Sequence, residues 1–194
     1  VTRLIIERKV FPCYFGSALK VQGVEELLDG LYEYSRTPKY PDKFGAKICK
    51  IAREEQGNRL TYLKVTGGVL HVKDTLPNGE KADTLRLYSG GKFRLVSECL
   101  PGTVVAVTRP ANTRPGQGLG AEADASAPLL EPVLNYRVDC PDADPHTVLR
   151  ALQTLEDEDP QLHVAWRADL AEVHVQLMGE VQLEILQTQH GILR

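Results

Sequence analysis

The chain of 194 residues is poor in cysteine and aromatics, with four Cys and 6% Phe, Tyr and Trp. Cys13, Cys49, Cys99 and Cys140 lie far apart and form no Cys-x-x-Cys pair, which argues against a zinc knuckle and a redox dithiol. No signal peptide precedes the first elements, so reduced, mostly buried thiols in a cytoplasmic protein are expected. No apolar run approaches the roughly 20 residues that a spanning helix needs, which removes the membrane as a partner. The five histidines form no His-Glu-x-x-His, and no metal or catalytic residue is expected. His163 and His174 could meet across adjacent strands but read as residues on the solvent side of a sheet. Neither G-x-x-x-x-G-K-[ST] nor N-K-x-D occurs. Without the Gly-rich loop and its Lys, nothing holds the β- and γ-phosphates or Mg²⁺, so the chain alone is not expected to hydrolyse GTP.

What is present is 42% hydrophobic and 25% charged, the balance of a globular protein. The net charge of −3 conceals a partition. Residues 43–112 carry 12 Lys and Arg against 6 Asp and Glu, a net of +6; residues 129–194 carry 4 against 12, a net of −8. Residues 1–42 balance, and 113–128 add −1. A basic block followed by an acidic one suggests two domains with different partners. The chain starts at Val1 and stops on a fresh hydrophobic pattern, Gly191-Ile192-Leu193, so a fragment of a longer protein is expected.

Val10–Phe15 reads as a strand that breaks at Gly16-Ser17. Val24, Leu27, Leu28 and Leu31 then form the apolar stripe of a helix, with Glu25 and Glu26 in its first turn. Strand, tight turn and helix over 1–36 are the closing unit of an α/β domain; 37–42, with two prolines, is a linker. Ala46–Ile51, Leu60–Thr66, Val69–Val72, Thr84–Tyr88 and Thr103–Thr108 are strand-like, punctuated by Gly67-Gly68, Asn78-Gly79 and Gly90-Gly91. Such spacing over 43–112 predicts a small antiparallel barrel. Residues 113–128, including Gly116-Gln117-Gly118-Leu119-Gly120, read as loop and linker rather than a phosphate cradle.

From 129 to 194 the elements alternate. Leu134, Tyr136 and Val138 line a strand, Asp144 can N-cap a helix with Pro145 first, and Val148, Leu152 and Leu155 give that helix its face. Leu162, Val164 and Trp166, then Val173, Val175 and Leu177, are two period-two strands. A last helix runs from Gly179 with Val181, Ile185 and Gln189 along one side. This β-α-β-β-α order predicts a split-βαβ, ferredoxin-like domain. The acidic run Glu156–Asp159 reads as a helix end facing water rather than a cation site. The basic barrel is the functional lead: Lys47, Lys50, Arg53, Arg59, Lys64 and Lys73 alternate with apolar residues and are candidate RNA contacts, as are Arg86, Lys92 and Arg94. The competing reading is that exposed cations only guard strand edges.

Four segments then converge on one family. Ala151-Leu152, Leu155 and Asp157-Glu158-Asp159-Pro160 with Leu162 resemble the "AL..L..EDP.L" stretch of elongation factor G. Met178-Gly179-Glu180-Val181-Gln182-Leu183-Glu184-Ile185 is similar to its "MGELHLEI". Gly68-Val69-Leu70 through Asp74 resembles the "SGVL…D" hairpin of translational GTPases, and Gly16-Ser17-Ala18 with Gly23 their fifth guanine-nucleotide motif. Val181-Gln182 in place of Leu-His, and Phe15-Gly16-Ser17-Ala18-Leu19-Lys20, look closest to the tetracycline-resistance ribosomal protection proteins of the Tet(M) type. The resemblance implies the last strand and helix of a P-loop GTPase domain, a translation-factor β-barrel and a ferredoxin-like third domain. Ser17, Ala18 and Leu19 would contact guanine, although the motif often reads Ser-Ala-Lys where Leu19 stands here. GTP and Mg²⁺ belong to the intact parent only, with no cofactor expected on these residues. The ribosome is the implied partner, with small-subunit RNA on the barrel and a ribosomal protein near the third domain; no DNA partner is implied, and a monomer is expected. An elongation factor G-type translocase, a release-type factor and a stand-alone RNA-binding barrel are the alternatives. Gly179 is expected to sit where a side chain would collide.

Overall fold

The computed structural model describes all residues except 37, 55, 129, 141, 142 and 191–194. The hydrophobic pattern at 191–193 therefore lies outside the described residues. Two compact units, Val1–Lys39 and Tyr40–Arg194, divide the chain.

In the first unit, α1 (Thr2–Ile6) precedes an extended stretch, one turn of 3₁₀ helix at Ala18–Lys20 and α2 (Val24–Tyr34). Val10–Phe15, expected as a strand, has no ladder partner among the described residues and is irregular. A strand without a neighbour leaves its N–H and C=O groups to water. The stripe of α2 likewise finds no sheet to cover it: Leu27, Leu28 and Leu31 are exposed, and only Gly30 is buried. Glu25 and Glu26 stand in the first turn as expected.

The second unit starts with the hairpin of β1 (Gly45–Arg53) and β2 (Arg59–Gly67), whose alternating apolar residues place Ile48, Ile51, Leu63 and Val65 wholly inside. β3 (Leu70–His71), β4 (Leu85–Ser89), β5 (Lys92–Val96), β6 (Glu98–Cys99) and β7 (Val104–Thr108) follow. β8 (Gly118–Gly120) completes a six-stranded antiparallel sheet in the order β5-β4-β7-β2-β1-β8, while β3 and β6 form a separate ladder. Both sheets contribute to one core, Leu70 and Cys99 packing with Leu85, Val105 and Leu119. Each fully buried Leu or Ile contributes roughly 1.5–3 kcal/mol, so this core dominates the stability of the barrel.

Two details differ from expectation. Gly118-Leu119-Gly120 is a strand rather than a loop: it pairs with Gly45–Lys47 and sends Leu119 into the core. Its glycines permit the approach, since a Cβ on Gly118 would fall 2.3 Å from the Glu122 carbonyl oxygen, and Gly120 has φ +66°. β5 and β6 are strands beyond those expected, although Gly90-Gly91 links β5 to β4 as a two-residue hairpin. Of the four thiols only Cys99 is buried, where burial raises its pKa; Cys13 and Cys49 are exposed.

β9 (Leu134–Val138), α3 (Pro145–Glu156), β10 (His163–Arg167), β11 (Glu172–Leu177) and α4 (Glu180–His190) make the α+β domain. The sheet order β10-β11-β9 is antiparallel, so β11 inserts between the two strands that α3 connects. Asp144 caps α3 by accepting from the Thr147 N–H at 2.9 Å, and the Thr147 hydroxyl at 3.0 Å, with that N–H behind it, holds its carboxyl below the usual range. Leu152, Val173, Val175 and Leu177 form a second core with Val148, Leu155, Val164 and Trp166 against it. α4 presents Leu183 and Leu186 to this core, not the expected Val181 and Ile185, which are 71% and 46% exposed. Those two lie on one stripe and the leucines on another, and only the second faces the sheet. An added Cβ at Gly179 meets nothing within 4 Å, so the expected steric demand there is absent.

Candidate nucleic-acid interface

The barrel sheet alternates, and its outward parity collects cations and aromatics. Lys47 and Lys64 lie directly opposite across β1 and β2, as do Lys50 and Tyr62. Tyr62 packs at a tilt against Tyr88 at a centroid distance of 5.6 Å, and Tyr88 likewise against Phe93 at 5.3 Å. The Arg86 guanidinium lies 4.6 Å from the centre of the Phe93 ring. Burial, then the neighbouring Tyr88, pushes the Tyr62 hydroxyl above the usual phenol range. The result is an outer face on which Lys50, Lys64 and Arg86 surround three π systems. Stacking platforms among cations suit a single-stranded nucleic acid.

The six candidate cations divide into two sets. Among the described residues, Lys50, Lys64 and Lys73 have no carboxylate within salt-bridge distance. Lys47 pairs with Glu122 at 3.3 Å and donates to the Ala123 carbonyl. Arg53 binds Asp157 at 3.0 Å, with Glu158 at 3.9 Å. Arg59 donates to the carbonyls of Ala111 and Thr113 and lies 3.6 Å from Asp157. Arg86 is hydrogen-bonded to Glu54 and holds that carboxyl below its ordinary range. On β5, Lys92 and Arg94 occupy the edge of the sheet, where like charges also discourage pairing with another chain. The aromatic trio is a part of the site that sequence reasoning misses. Its trace is there, since Tyr62 shares parity with Lys64, and Tyr88 with Arg86.

The acidic run does not face water alone: Asp157 and Glu158 meet the barrel. No cluster of three metal-ligating side chains occurs among the described residues. His163 and His174 do not pair; His163 contacts Gln176 at 3.0 Å and His174 contacts Glu172 at 2.9 Å. No helix is long and apolar enough to cross a membrane among the described residues.

In the first unit, residues 16–23 form a closed loop. The Ser17 N–H donates to the Gln22 carbonyl and the Gln22 N–H donates back to the Ser17 carbonyl. A Cβ on Gly16 would fall 2.4 Å from the Gln22 carbonyl oxygen, and one on Gly23 would fall 2.4 Å from that of Phe15. Only glycines therefore allow this closure. Leu19 is 95% exposed at its tip.

No family model matches the sequence. The tetracycline resistance protein TetP of Clostridium perfringens is 28% identical over 191 residues, covering 93% of this chain and 29% of that protein. Elongation factor G 1 of Bdellovibrio bacteriovorus is 28% identical over 213 residues, covering 93% of this chain and 30% of that protein. A crystal structure of ttk003000868 from Thermus thermophilus shares the fold, with a TM-score of 0.69, 22% identity and coverage of 88% of this chain and 28% of that one. The chain thus spans less than a third of the length of these relatives. Over nearly all of its length it is elongation factor G-like, akin both to elongation factor G and to the tetracycline resistance proteins.

Proposed function

We propose that the chain is the ribosome-binding part of a translational GTPase of the ribosomal protection kind, which releases tetracycline from the ribosome in a GTP-dependent manner in the cytoplasm. The observation that carries the ribosome reading is the outer face of the barrel, where Lys50, Lys64 and Arg86 surround Tyr62, Tyr88 and Phe93. That face would lie on small-subunit RNA. Phosphates would meet the lysines and unstacked bases the rings. The acidic α+β domain would face a basic ribosomal protein. Ser17, Ala18 and Leu19 would supply the guanine side of the nucleotide site, and the remainder of that site, with Mg²⁺, belongs to the whole protein.

Protection is favoured over translocation by Val181-Gln182. Gln182 ties the start of α4 to the turn after α3: its side-chain carbonyl accepts from the Met178 N–H at 2.8 Å and its amide donates to Asp159 at 2.6 Å. The second reading is an elongation factor G-type translocase, which the equal identities to both groups of relatives support. Expressing the full reading frame and measuring GTP-dependent loss of labelled tetracycline from ribosomes tests the choice. Drug release supports protection. GTP turnover on ribosomes that advances the messenger but leaves the drug bound selects the translocase. An open reading frame without any GTPase motif removes both.

A further inference from the structure

Each domain of the second unit carries a local electrostatic fault. In the barrel, Arg53 and Arg59 are direct cross-strand partners at the turn end of the β1–β2 hairpin. Like charges opposite one another destabilise a ladder, and both Nε atoms are buried without an acceptor. In the α+β domain, α3 ends at Glu156 and runs straight into Asp157, Glu158 and Asp159. Carboxylates at a helix C-terminus oppose its dipole.

The outer two members of that run are satisfied inside their own domain. Glu156 accepts from the Val164 N–H, and Asp159 from the Gln161 N–H and the Gln182 amide. Asp157 and Glu158 instead turn to the barrel. Asp157 lies between the two guanidiniums, 3.0 Å from Arg53 and 3.6 Å from Arg59, while Glu158 approaches Arg53 at 3.9 Å. Arg59 in turn grips the carbonyls of Ala111 and Thr113, so the contact is anchored to the end of the barrel fold. Among the described residues, every hydrogen bond and ion pair between the two domains runs through these four side chains. The hydrophobic cores are separate.

We propose that Asp157 and Glu158 are an ion-pair latch that sets the orientation of the α+β domain on the barrel, and that loss of these two charges frees the domains to move independently. The partition of charge along the chain then has a use within the molecule. Half-exposed carboxylates on a common guanidinium pair hold in moderate salt and weaken as the screening length falls from about 10 Å at 0.1 M to about 3 Å at 1 M. The latch is accordingly reversible.

Nitrogen-15 relaxation of the full chain tests this by comparing the rotational correlation times of barrel amides and α+β amides. At about 0.1 M salt the unmodified chain should show one shared value. The variant D157N/E158Q should lose it, the two sets reporting separate, shorter times. D139N/D169N removes the same charge from exposed positions off the contact, and should keep the shared value. Raising salt to about 1 M on the unmodified chain provides a readout that no folding defect can imitate, and should also split the times. A shared value that survives both D157N/E158Q and high salt, or a split in D139N/D169N as well, overturns the latch.

Discussion

The barrel and the α+β domain are both antiparallel, yet they bury their sheets by different means. The barrel wraps its strands round one core, so Leu63 and Val65 of β2 point in while Tyr62 and Lys64 point out. The α+β sheet stays open and relies on α3 and α4 to cover one face. Curling round its own core leaves the barrel sheet a broad outer surface unclaimed by helices, and that surface holds the lysines and rings. The open sheet has its inner face occupied, and its charged residues pair locally, as Arg137 does with Glu172 at 3.4 Å. A sheet that buries itself is freer to bind something else.

The largest test of this comparison removes core volume. Leu63→Ala should cost the barrel about 2–5 kcal/mol, and Leu152→Ala should cost the α+β domain a similar amount, each seen by thermal denaturation followed with domain-specific probes. If either substitution lowers both transitions equally, the two cores are not independent. Next, Tyr62→Ala and Phe93→Ala should each weaken binding to single-stranded ribosomal RNA by about 1–3 kcal/mol, with little effect on folding. Unchanged binding would leave the rings a packing role alone.

Lys50→Ala with Lys64→Ala should act differently, weakening every RNA sequence alike and lowering the salt slope by about 0.7 per lost phosphate contact on a single strand. A flat slope in the parent chain would assign these lysines to solubility. The smallest effect concerns acid. His174 holds the Glu172 carboxyl below its ordinary range, and Thr147 does the same for Asp144. Both therefore stabilise the fold above the ordinary carboxylate range, and the contribution fades as pH falls through the lowered values. Glu172→Gln should flatten the acid limb of the α+β transition slightly; a steeper limb would contradict the assigned pairing.

Much of this architecture is legible from the residues. Alternation finds the central barrel strands, and Asp144-Pro145 fixes the start of α3, because parity and caps are local properties. Gly118-Leu119-Gly120 is not legible as a strand, since its glycines carry no alternation and serve a close approach to Phe44 and Glu122. The face of α4 is ambiguous because two apolar stripes share the helix, and only the sheet beneath selects Leu183 and Leu186. For the site, parity marks the cations as outward but does not show which are claimed. Arg53 and Arg59 meet a carboxylate about a hundred positions away, a distance over which local pattern carries no information. Lys50 and Lys64 have no carboxylate partner among the described residues, and the rings on their face of the sheet become visible only across three strands.

One consequence of β8 concerns the tether. Because the sheet of the barrel extends to Gly120 and β9 begins at Leu134, only residues 121–133 separate the two domains, and Glu122 and Asp124 are themselves tied back to Lys47, Arg114 and Gly118. So short a connection keeps Asp157 near its arginines at an effective concentration on the order of millimolar. An ion pair too feeble to join two separate molecules becomes, on this leash, a contact that re-forms each time it breaks.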